Sequence, residues 1–235
     1  MWKAVIFDID DTLYSYRAAN TLAMPAAADY ARRELGVDRE QFLELYHACM
    51  QEQLRAHSEV AGCHSRAIRF QMVLERLQKP LYHAAVLNDL YWNHFLDVME
   101  PFPQVGKALT LLREAGLRTG VCSDMTADWQ LKKLHRLGLL EKLDFVVTSE
   151  EAGVEKPHPD IFRLSARKAH CAPEECLFLG DNRNKDIKGA LGAGMGALWF
   201  CPEGATADDG LDVRSIQGYR ELIDHINQMQ KEYVP

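Results

Sequence analysis

The chain has 235 residues, of which 47% are hydrophobic and 26% are charged, so it can bury a sizeable core and is not disordered by composition. Its 34 acidic and 27 basic residues give a formal net charge of −7, which disfavours a nucleic-acid-binding protein because such proteins present a basic surface. No apolar run approaches the roughly 18 residues of a membrane span, and the acids that follow the first apolar segment lead us to expect no secretory signal peptide.

The first predicted element is a strand. The run over 3–9 is mostly apolar and ends among acidic residues, which is typical of a buried strand in a parallel sheet. Four similar runs follow later in the chain, over 117–122, 143–148, 176–179 and 196–200. Segments with the apolar spacing of helices separate them. This alternation predicts an α/β fold whose core is a Rossmann-like parallel sheet with helices on both faces.

Residues 16–98 interrupt the alternation. They carry Ala-rich and Leu-rich amphipathic runs with almost no strand signal, and Gly36 and Pro80 punctuate them. We predict four helices in this segment, over 17–35, 39–56, 65–78 and 82–98. The sequence thus predicts an all-helical domain over 16–98, inserted into an α/β core domain made of residues 1–15 and 99–235.

Acidic residues stand where the first predicted strand ends. Asp8, Asp10 and Asp11 lie within four residues of one another, and three carboxylates this close repel one another unless a cation lies among them. A solvated turn with Asx-type hydrogen bonds is the alternative interpretation. An apolar strand that leads straight into the cluster disfavours that alternative, because ligands of open parallel sheets bind at the carboxyl ends of the strands.

A second acidic group, Asp181 and Asp186, follows the apolar run over 176–179. It is expected to reach the same edge of the sheet as the first group. A site made only of oxygen ligands suits a hard cation, and one that also holds a phosphate favours Mg²⁺. No cluster of His or Cys accompanies these acids, which makes a zinc site improbable.

Two further candidates come from other strand ends. Ser123 follows the run over 117–122, where its hydroxyl and the backbone N–H groups beyond it can bind a phosphoryl oxygen, although a serine there is usually only a helix cap. Lys156 stands before Pro157 in a stiff loop that leads into a helix. Directed at the acids, it would neutralise them and hold a phosphate; an exposed lysine paired with Glu155 is the alternative.

The four motifs, in this order and spacing, resemble those of the haloacid dehalogenase-like hydrolase superfamily. Its first motif is D-x-D-x-T, its second a Ser or Thr at a strand end, its third a Lys before a Pro-rich turn and its fourth G-D-x-x-x-x-D. Here they are matched, in order, by Asp8, Asp10 and Thr12, by Ser123, by Lys156, and by Asp181 and Asp186. The motifs span residues 4–190, and the helical insert resembles the C1-type cap domain that follows the first motif in one group of the superfamily.

The resemblance implies a phosphatase that depends on Mg²⁺ and hydrolyses a small phosphorylated metabolite, either a nucleotide or a sugar phosphate. Asp8 would attack phosphorus and form an aspartyl-phosphate intermediate, and Asp10 would act first as general acid and then as general base. The residues that would bind Mg²⁺ are Asp8, Asp10 through its backbone carbonyl, Asp181 and Asp186. Those that would hold the phosphoryl group are Ser123, Asp124 through its backbone N–H, and Lys156. Thr12 and Asn182 would orient these groups.

Asp10 separates the activities found within this superfamily. The dehalogenases that name it lack this second acid, because displacement of a halide needs no proton on the leaving group. Its presence here therefore favours hydrolysis of a phosphate ester. A phosphosugar mutase and a 2-haloacid dehalogenase are alternatives on the same fold, and a non-catalytic binding protein is an alternative from another class.

The expected partner is therefore the small phosphorylated metabolite, and we expect binding to neither a nucleic acid nor a membrane. The chain is expected to be a monomer or a homodimer. Six cysteines without any Cys-x-x-Cys pair are typical of reduced thiols, which supports a cytoplasmic location. In the helical insert, Arg66 and Arg69 are interpreted as charges on a solvated helix face. Contact with a second anionic group of the substrate is the alternative for these two arginines.

Overall fold

The structure, a computed structural model, describes residues 2–57, 59–202, 204 and 210–224. The chain forms two compact units, one made of Met1–Ser15 and Glu100–Pro235 and the other of Tyr16–Met99. Strands and helices make up the first unit, whereas the described elements of the second are all helical. The fold class predicted from the alternation of apolar runs is confirmed.

One parallel sheet forms the centre of the first unit. Its strands are β1 Ala4–Phe7, β2 Arg118–Ser123, β3 Phe145–Thr148, β4 Cys176–Gly180, β5 Gly196–Phe200 and β6 Ser215–Ile216. Their order across the sheet is β3-β2-β1-β4-β5-β6, so β1 pairs with β2 on one side and with β4 on the other. The direction in which successive strands are added reverses beside β1, and open parallel sheets bind ligands at the carboxyl ends of strands at such a point. The two-residue strand β6 is an addition that the apolar pattern does not predict.

Besides the helical residues 219–224, nine α-helices accompany the strands in the described part of the chain. Those of the second unit are α1 Tyr16–Tyr30, α2 Arg39–Ala56, α3 Arg66–Arg76 and α4 His83–Val98; those of the first are α5 Val105–Glu114, α6 Ala127–Arg136, α7 Ser149–Ala152, α8 Pro159–Ala169 and α9 Lys188–Gly192. Helix α1 continues as a π-helical turn over Ala31–Leu35, which ends at Gly36 in a left-handed conformation with φ of 67°. None of the described helices combines the length and the apolar character that a bilayer-spanning segment requires.

Successive side chains of β1 point to opposite faces of the sheet, and both faces are buried. On one face, Ile6 belongs to a cluster in which Phe162 of α8 packs against Phe178 of β4, with ring centroids 5.1 Å apart. On the other face, the ring of Phe7 lies beside that of Tyr219, at a centroid distance of 6.4 Å. Burial on both sides explains why this strand is a continuous apolar run. The six cysteines are all free thiols.

The interpretation of Arg66 and Arg69 as solvated charges is wrong, because only 6% of Arg66 and 2% of Arg69 is exposed. Arg69 donates to the Oε1 of Gln53 at 3.0 Å and to the hydroxyl of Tyr46 at 3.0 Å. The Arg66 guanidinium lies over three aromatic rings at 5.5–5.6 Å from their centroids, those of Tyr16, Tyr91 and Trp92. Hydrogen bonds and cation–π contacts therefore replace water around both cations inside the helical unit.

Candidate active site

Three carboxylates converge at the carboxyl edge of the sheet. Asp8 follows β1 and Asp181 follows β4, two strands that are hydrogen-bonded neighbours, and Asp186 lies in the π-helical turn Arg183–Ile187 that comes next. One carboxylate oxygen of each residue lies within 4.8 Å of those of the other two. The sheet topology thus brings together acids from the first and fourth motifs.

Lys156 places its ammonium group between two of these acids. Its Nζ lies 2.7 Å from Oδ1 of Asp8 and 2.6 Å from Oδ1 of Asp186, and the side chain is buried. Burial opposes a charge on this lysine, but attraction to Asp186 and Asp8 outweighs it and raises the pKa of Lys156 well above its usual value. Lys156 is therefore an ammonium ion, and its backbone N–H is held by Oδ1 of Asp124 at 2.9 Å.

Full ionisation of Asp8, Asp181 and Asp186 would place more negative charge at the site than Lys156 neutralises. Burial raises the pKa of Asp8 well above its usual value, and repulsion by Asp186 and Asp181 adds to the effect although Lys156 opposes it. Burial, together with repulsion by Asp186, raises the pKa of Asp181 to about 7. Buried carboxylates under such repulsion favour the uptake of a proton or of a hard cation. The donors in this group are all carboxylate oxygens, and they therefore fit Mg²⁺.

Asp10 has a different environment from these three acids. Its side chain is 29% exposed, and both of its carboxylate oxygens are bound by Nζ of Lys133, at 2.8 and 2.9 Å. The hydroxyl of Tyr14 donates to Oδ1 of Asp10. The turn that carries Asp10 is tight, since the N–H of Leu13 donates to the carbonyl of Ile9 at 2.9 Å. Two acids of the first motif, Asp8 and Asp10, thus have separate partners.

Helix α6 contributes two site residues that the sequence analysis missed. Lys133 and Gln130 are both fully buried, one turn apart on the face directed at Asp10. The apolar Leu131, between these two residues on the same helix, is by contrast 40% exposed. The sequence does contain an indication that Gln130 is buried. It lies four residues before the apolar Leu134, which is buried, and therefore on the same face of the helix.

Ser123 is the last residue of β2 and Asp124 follows it, close to the same site. The hydroxyl of Ser123 is buried and accepts a hydrogen bond from Nε2 of Gln130 at 3.0 Å. The carboxylate of Asp124 accepts from the backbone N–H of Lys156 and from Nζ of Lys185, the latter at 2.7 Å. An ionised carboxylate is an acceptor only, so Asp124 can offer a phosphoryl group nothing but its backbone N–H.

The two residues expected to orient the site both contact the acids of the fourth motif. The hydroxyl of Thr12 lies 3.4 Å from Oδ1 of Asp181. The backbone N–H of Asn182 donates to Oδ2 of Asp186 at 2.9 Å. The side chain of Asn182 also accepts from the N–H groups of Asn184 and Lys185, both at 3.0 Å, and so begins the turn that carries Asp186.

Comparison with known proteins gives consistent matches over most of the chain. The family model described as haloacid dehalogenase-like hydrolase matches residues 2–194. The ribulose-1,5-bisphosphate 5-phosphatase of Halopiger xanaduensis is 36% identical over 206 residues, 86% of each chain. The glyceraldehyde 3-phosphate phosphatase of Methanopyrus kandleri is 34% identical over 243 residues, which covers 99% of this chain and 100% of that relative. Among solved structures, a 2-haloacid dehalogenase from Pseudomonas syringae pv. Tomato DC3000 is 27% identical with a TM-score of 0.76, covering 97% of this chain and 100% of that one.

Proposed function

Because the chain belongs to the haloacid dehalogenase-like hydrolase family, we propose that it is a Mg²⁺-dependent phosphatase that releases inorganic phosphate from a small sugar phosphate. The resemblance drawn from the four motifs is confirmed by this membership. The protein is a hydrolase of phosphate esters, the class to which the relatives named as phosphatases belong. The observation that carries the proposal is the buried contact of Lys156 with Asp8 and Asp186, beside a separately held Asp10.

Asp8 is the proposed nucleophile. It follows β1 directly and is 5% exposed, so its carboxylate is largely shielded from bulk water. In the first step this oxygen forms a bond to phosphorus as the bond from phosphorus to the leaving oxygen breaks. The product is an aspartyl-phosphate on Asp8, which a water molecule then hydrolyses to inorganic phosphate and a free carboxylate.

Asp10 is the proposed general acid and base. In the first step its carboxylic acid gives a proton to the leaving oxygen, which departs as an alcohol, and Asp10 becomes a carboxylate. In the second step the carboxylate takes a proton from the attacking water. The exposed part of Asp10, 29% of its side chain, leaves it accessible to both the leaving group and the water.

Positive charge and hydrogen-bond donors are needed where the phosphoryl group is transferred. We assign this role to Nζ of Lys156, the hydroxyl of Ser123 and the backbone N–H of Asp124. Asp8, Asp181 and Asp186, with the backbone carbonyl of Asp10, would hold Mg²⁺, which would offset the negative charge of the phosphate and of the crowded carboxylates. Thr12 and Asn182 would keep Asp181 and Asp186 in place.

The substrate class follows from the two relatives, whose names specify ribulose 1,5-bisphosphate and glyceraldehyde 3-phosphate. Both names denote phosphorylated sugars of small size, which favours this class over nucleotides. The proposal is tested by measuring phosphate release from a panel of triose, pentose and hexose phosphates and of nucleoside monophosphates, with Mg²⁺ and with a chelator. We expect sugar phosphates to be turned over best and the chelator to abolish release.

The nucleophile is tested with the variant Asp8→Asn. It should lose turnover and should no longer incorporate label from a phosphorylated substrate, because an amide oxygen cannot form the covalent intermediate. The matched control is Asp160→Asn, which changes a carboxylate that is 58% exposed and pairs only at the surface with Arg163 and His158. Near wild-type phosphate release from Asp8→Asn would overturn the assignment.

The alternatives have distinct products. A phosphosugar mutase would convert one sugar phosphate into its isomer with little inorganic phosphate, and a dehalogenase would release halide from a 2-haloacid. The solved dehalogenase that this chain resembles makes the second assay necessary. A general acid such as Asp10 has no task in halide displacement, because a halide leaves without a proton, so we expect no halide release. A chain with none of these activities and no phosphoenzyme would instead be a binding protein.

A further inference from the structure

Lys133 is a lysine without any solvent exposure in the middle of a helix whose other face is in water. Its side chain is 0% exposed, whereas that of the preceding residue, Lys132, is 50% exposed and pairs at the surface with Asp128. Lysines are almost never fully buried unless an anion accompanies them. Here the anion is Asp10, and the ammonium group contacts both of its oxygens, at 2.8 and 2.9 Å.

The surroundings of Lys133 restrict its movement. Its Nζ also lies 3.7 Å from Sδ of Met125 and 5.9 Å from the centroid of the Tyr14 ring. One turn earlier on α6, Nε2 of Gln130 donates to the carbonyl of Asp124 at 2.7 Å and to the hydroxyl of Ser123 at 3.0 Å. The helix is thus attached to the end of β2 by Gln130, next to the point where Lys133 reaches Asp10.

We propose that Lys133 is a positioning residue that holds the carboxyl group of Asp10 in the orientation required for proton transfer to the leaving oxygen and from the attacking water. This inference rests on the proposed function. The physical basis is geometric. A carboxyl group held by one donor through one oxygen can still rotate. Here the fixed ammonium group of Lys133 contacts both oxygens of Asp10 and the Tyr14 hydroxyl donates to Oδ1, so a single orientation is selected. The side chain of Asp10 is nevertheless 29% exposed, so a substrate can reach its carboxyl group.

The two possible roles of Lys133, a purely structural ion pair and a positioning residue, lead to different expectations. If Lys133 only stabilises the fold, its replacement lowers stability and affects every substrate to the same extent. If it positions Asp10, the loss depends on whether the leaving group needs a proton. An alkoxide is a poor leaving group and must be protonated, whereas a nitrophenolate leaves without a proton. Hydrolysis of the aspartyl-phosphate needs the base with either substrate.

The test compares Lys133→Met with the wild type on a sugar phosphate and on p-nitrophenyl phosphate. For the sugar phosphate we expect kcat to fall about 100-fold or more, with KM within a few-fold of the wild-type value, because Lys133 orients the acid and does not touch the phosphate. For p-nitrophenyl phosphate we expect a burst of nitrophenol and a phosphorylated Asp8 that accumulates. Lys132→Met, on the exposed face of the same helix, is the matched control and should retain wild-type kinetics.

Equal losses of kcat on the two substrates, without accumulation of phosphoenzyme, would overturn the positioning role, and so would wild-type kinetics in Lys133→Met. If Lys133→Met does not fold, Lys133→Gln, which keeps a hydrogen-bond donor, is compared in the same assays with the same expectations. Failure of both variants to fold would assign Lys133 to structure alone and overturn the proposal. The proposed function is judged separately, from the activity of the wild type and of Asp8→Asn; an inactive wild type would overturn both.

Discussion

The side chain of Asp186 occupies the space beside the backbone of Gly180, where any other residue would place a β-carbon. A β-carbon added at Gly180 would lie 2.5 Å from Oδ2 of Asp186 and 2.6 Å from its Cβ. The other oxygen of Asp186 contacts Lys156, which in turn contacts Asp8. The glycine of the fourth motif therefore determines how closely an acid can approach the end of β4, and through Lys156 it affects Asp8, the proposed nucleophile.

Gly180→Ala is expected to damage activity and stability together. The alanine must displace Asp186, including its Cβ, and overpacking of this kind costs about 1–3 kcal/mol. Because Lys156 would move with Asp186, we expect kcat on the best sugar phosphate to fall at least about tenfold. The control is Gly192→Ala at the end of α9, where nothing lies within 4 Å of the added β-carbon. Thermal melting and steady-state kinetics check both variants; an unaltered Gly180→Ala would contradict the close approach.

Lys156→Met is expected to destabilise the first unit strongly near neutral pH. Removing one partner of a buried ion pair costs about 3–5 kcal/mol, because the remaining charge is left without compensation. Acidification should restore part of the loss, since Asp8, whose pKa is raised by burial, then takes up a proton and stops repelling Asp186. Urea denaturation at two pH values measures the effect. Lys3→Met removes a pair with Glu175 in which the lysine is 63% exposed, and should cost less than about 1 kcal/mol.

The stability of the metal-free protein should fall as the pH rises. Burial and repulsion by Asp186 raise the pKa of Asp181 to about 7 in the folded protein, from an ordinary value of 3.8. The folded state therefore binds this proton more tightly than the unfolded state. The stability that this proton contributes is fully present below the pKa of Asp181 in the unfolded chain. It is lost as the pH rises through the pKa of Asp181 in the folded protein.

Mg²⁺ should consequently raise the melting temperature more at about pH 8 than at about pH 5, because at the higher pH it relieves repulsion between ionised acids. Thermal melts in chelator and in Mg²⁺ measure this difference. In Asp181→Asn the pH dependence of the chelated protein should be smaller and the stabilisation by Mg²⁺ weaker. A stabilisation by Mg²⁺ that is the same at both pH values and in the variant would contradict the assignment of Asp181.

Arg69→Met should destabilise the helical unit far more than Arg76→Met on the same helix. Arg69 is buried, and its loss leaves the polar groups of Gln53 and Tyr46 without their donor, at about 1–3 kcal/mol for each unsatisfied group. Arg76 pairs with Glu52 at the surface, where such contacts contribute about 1 kcal/mol or less. Urea denaturation of the two variants measures the difference. Equal effects would contradict the burial of Arg69.

Local sequence accounts for much of this protein. Apolar runs that end in polar residues predict the strands, and a residue at the end of a parallel strand such as Asp8 or Asp181 lies at one edge of the sheet whatever its distance along the chain. Likewise, the helical periodicity of the segment between β1 and β2 predicts the helical unit. Patterns of this kind depend on neighbours within a few residues, so they can be read directly from the chain.

Only the tertiary structure decides which charges are buried and which partners they have. Lys133 and Arg69 stand in amphipathic helices where a charged residue is ordinarily solvated, and the neighbouring sequence does not show which distant groups they contact. Their environment comes from segments far away in the chain, such as the turn of Asp10. The free energy of a buried charge depends on the groups packed around it in space, and the order of residues along the chain does not specify those groups.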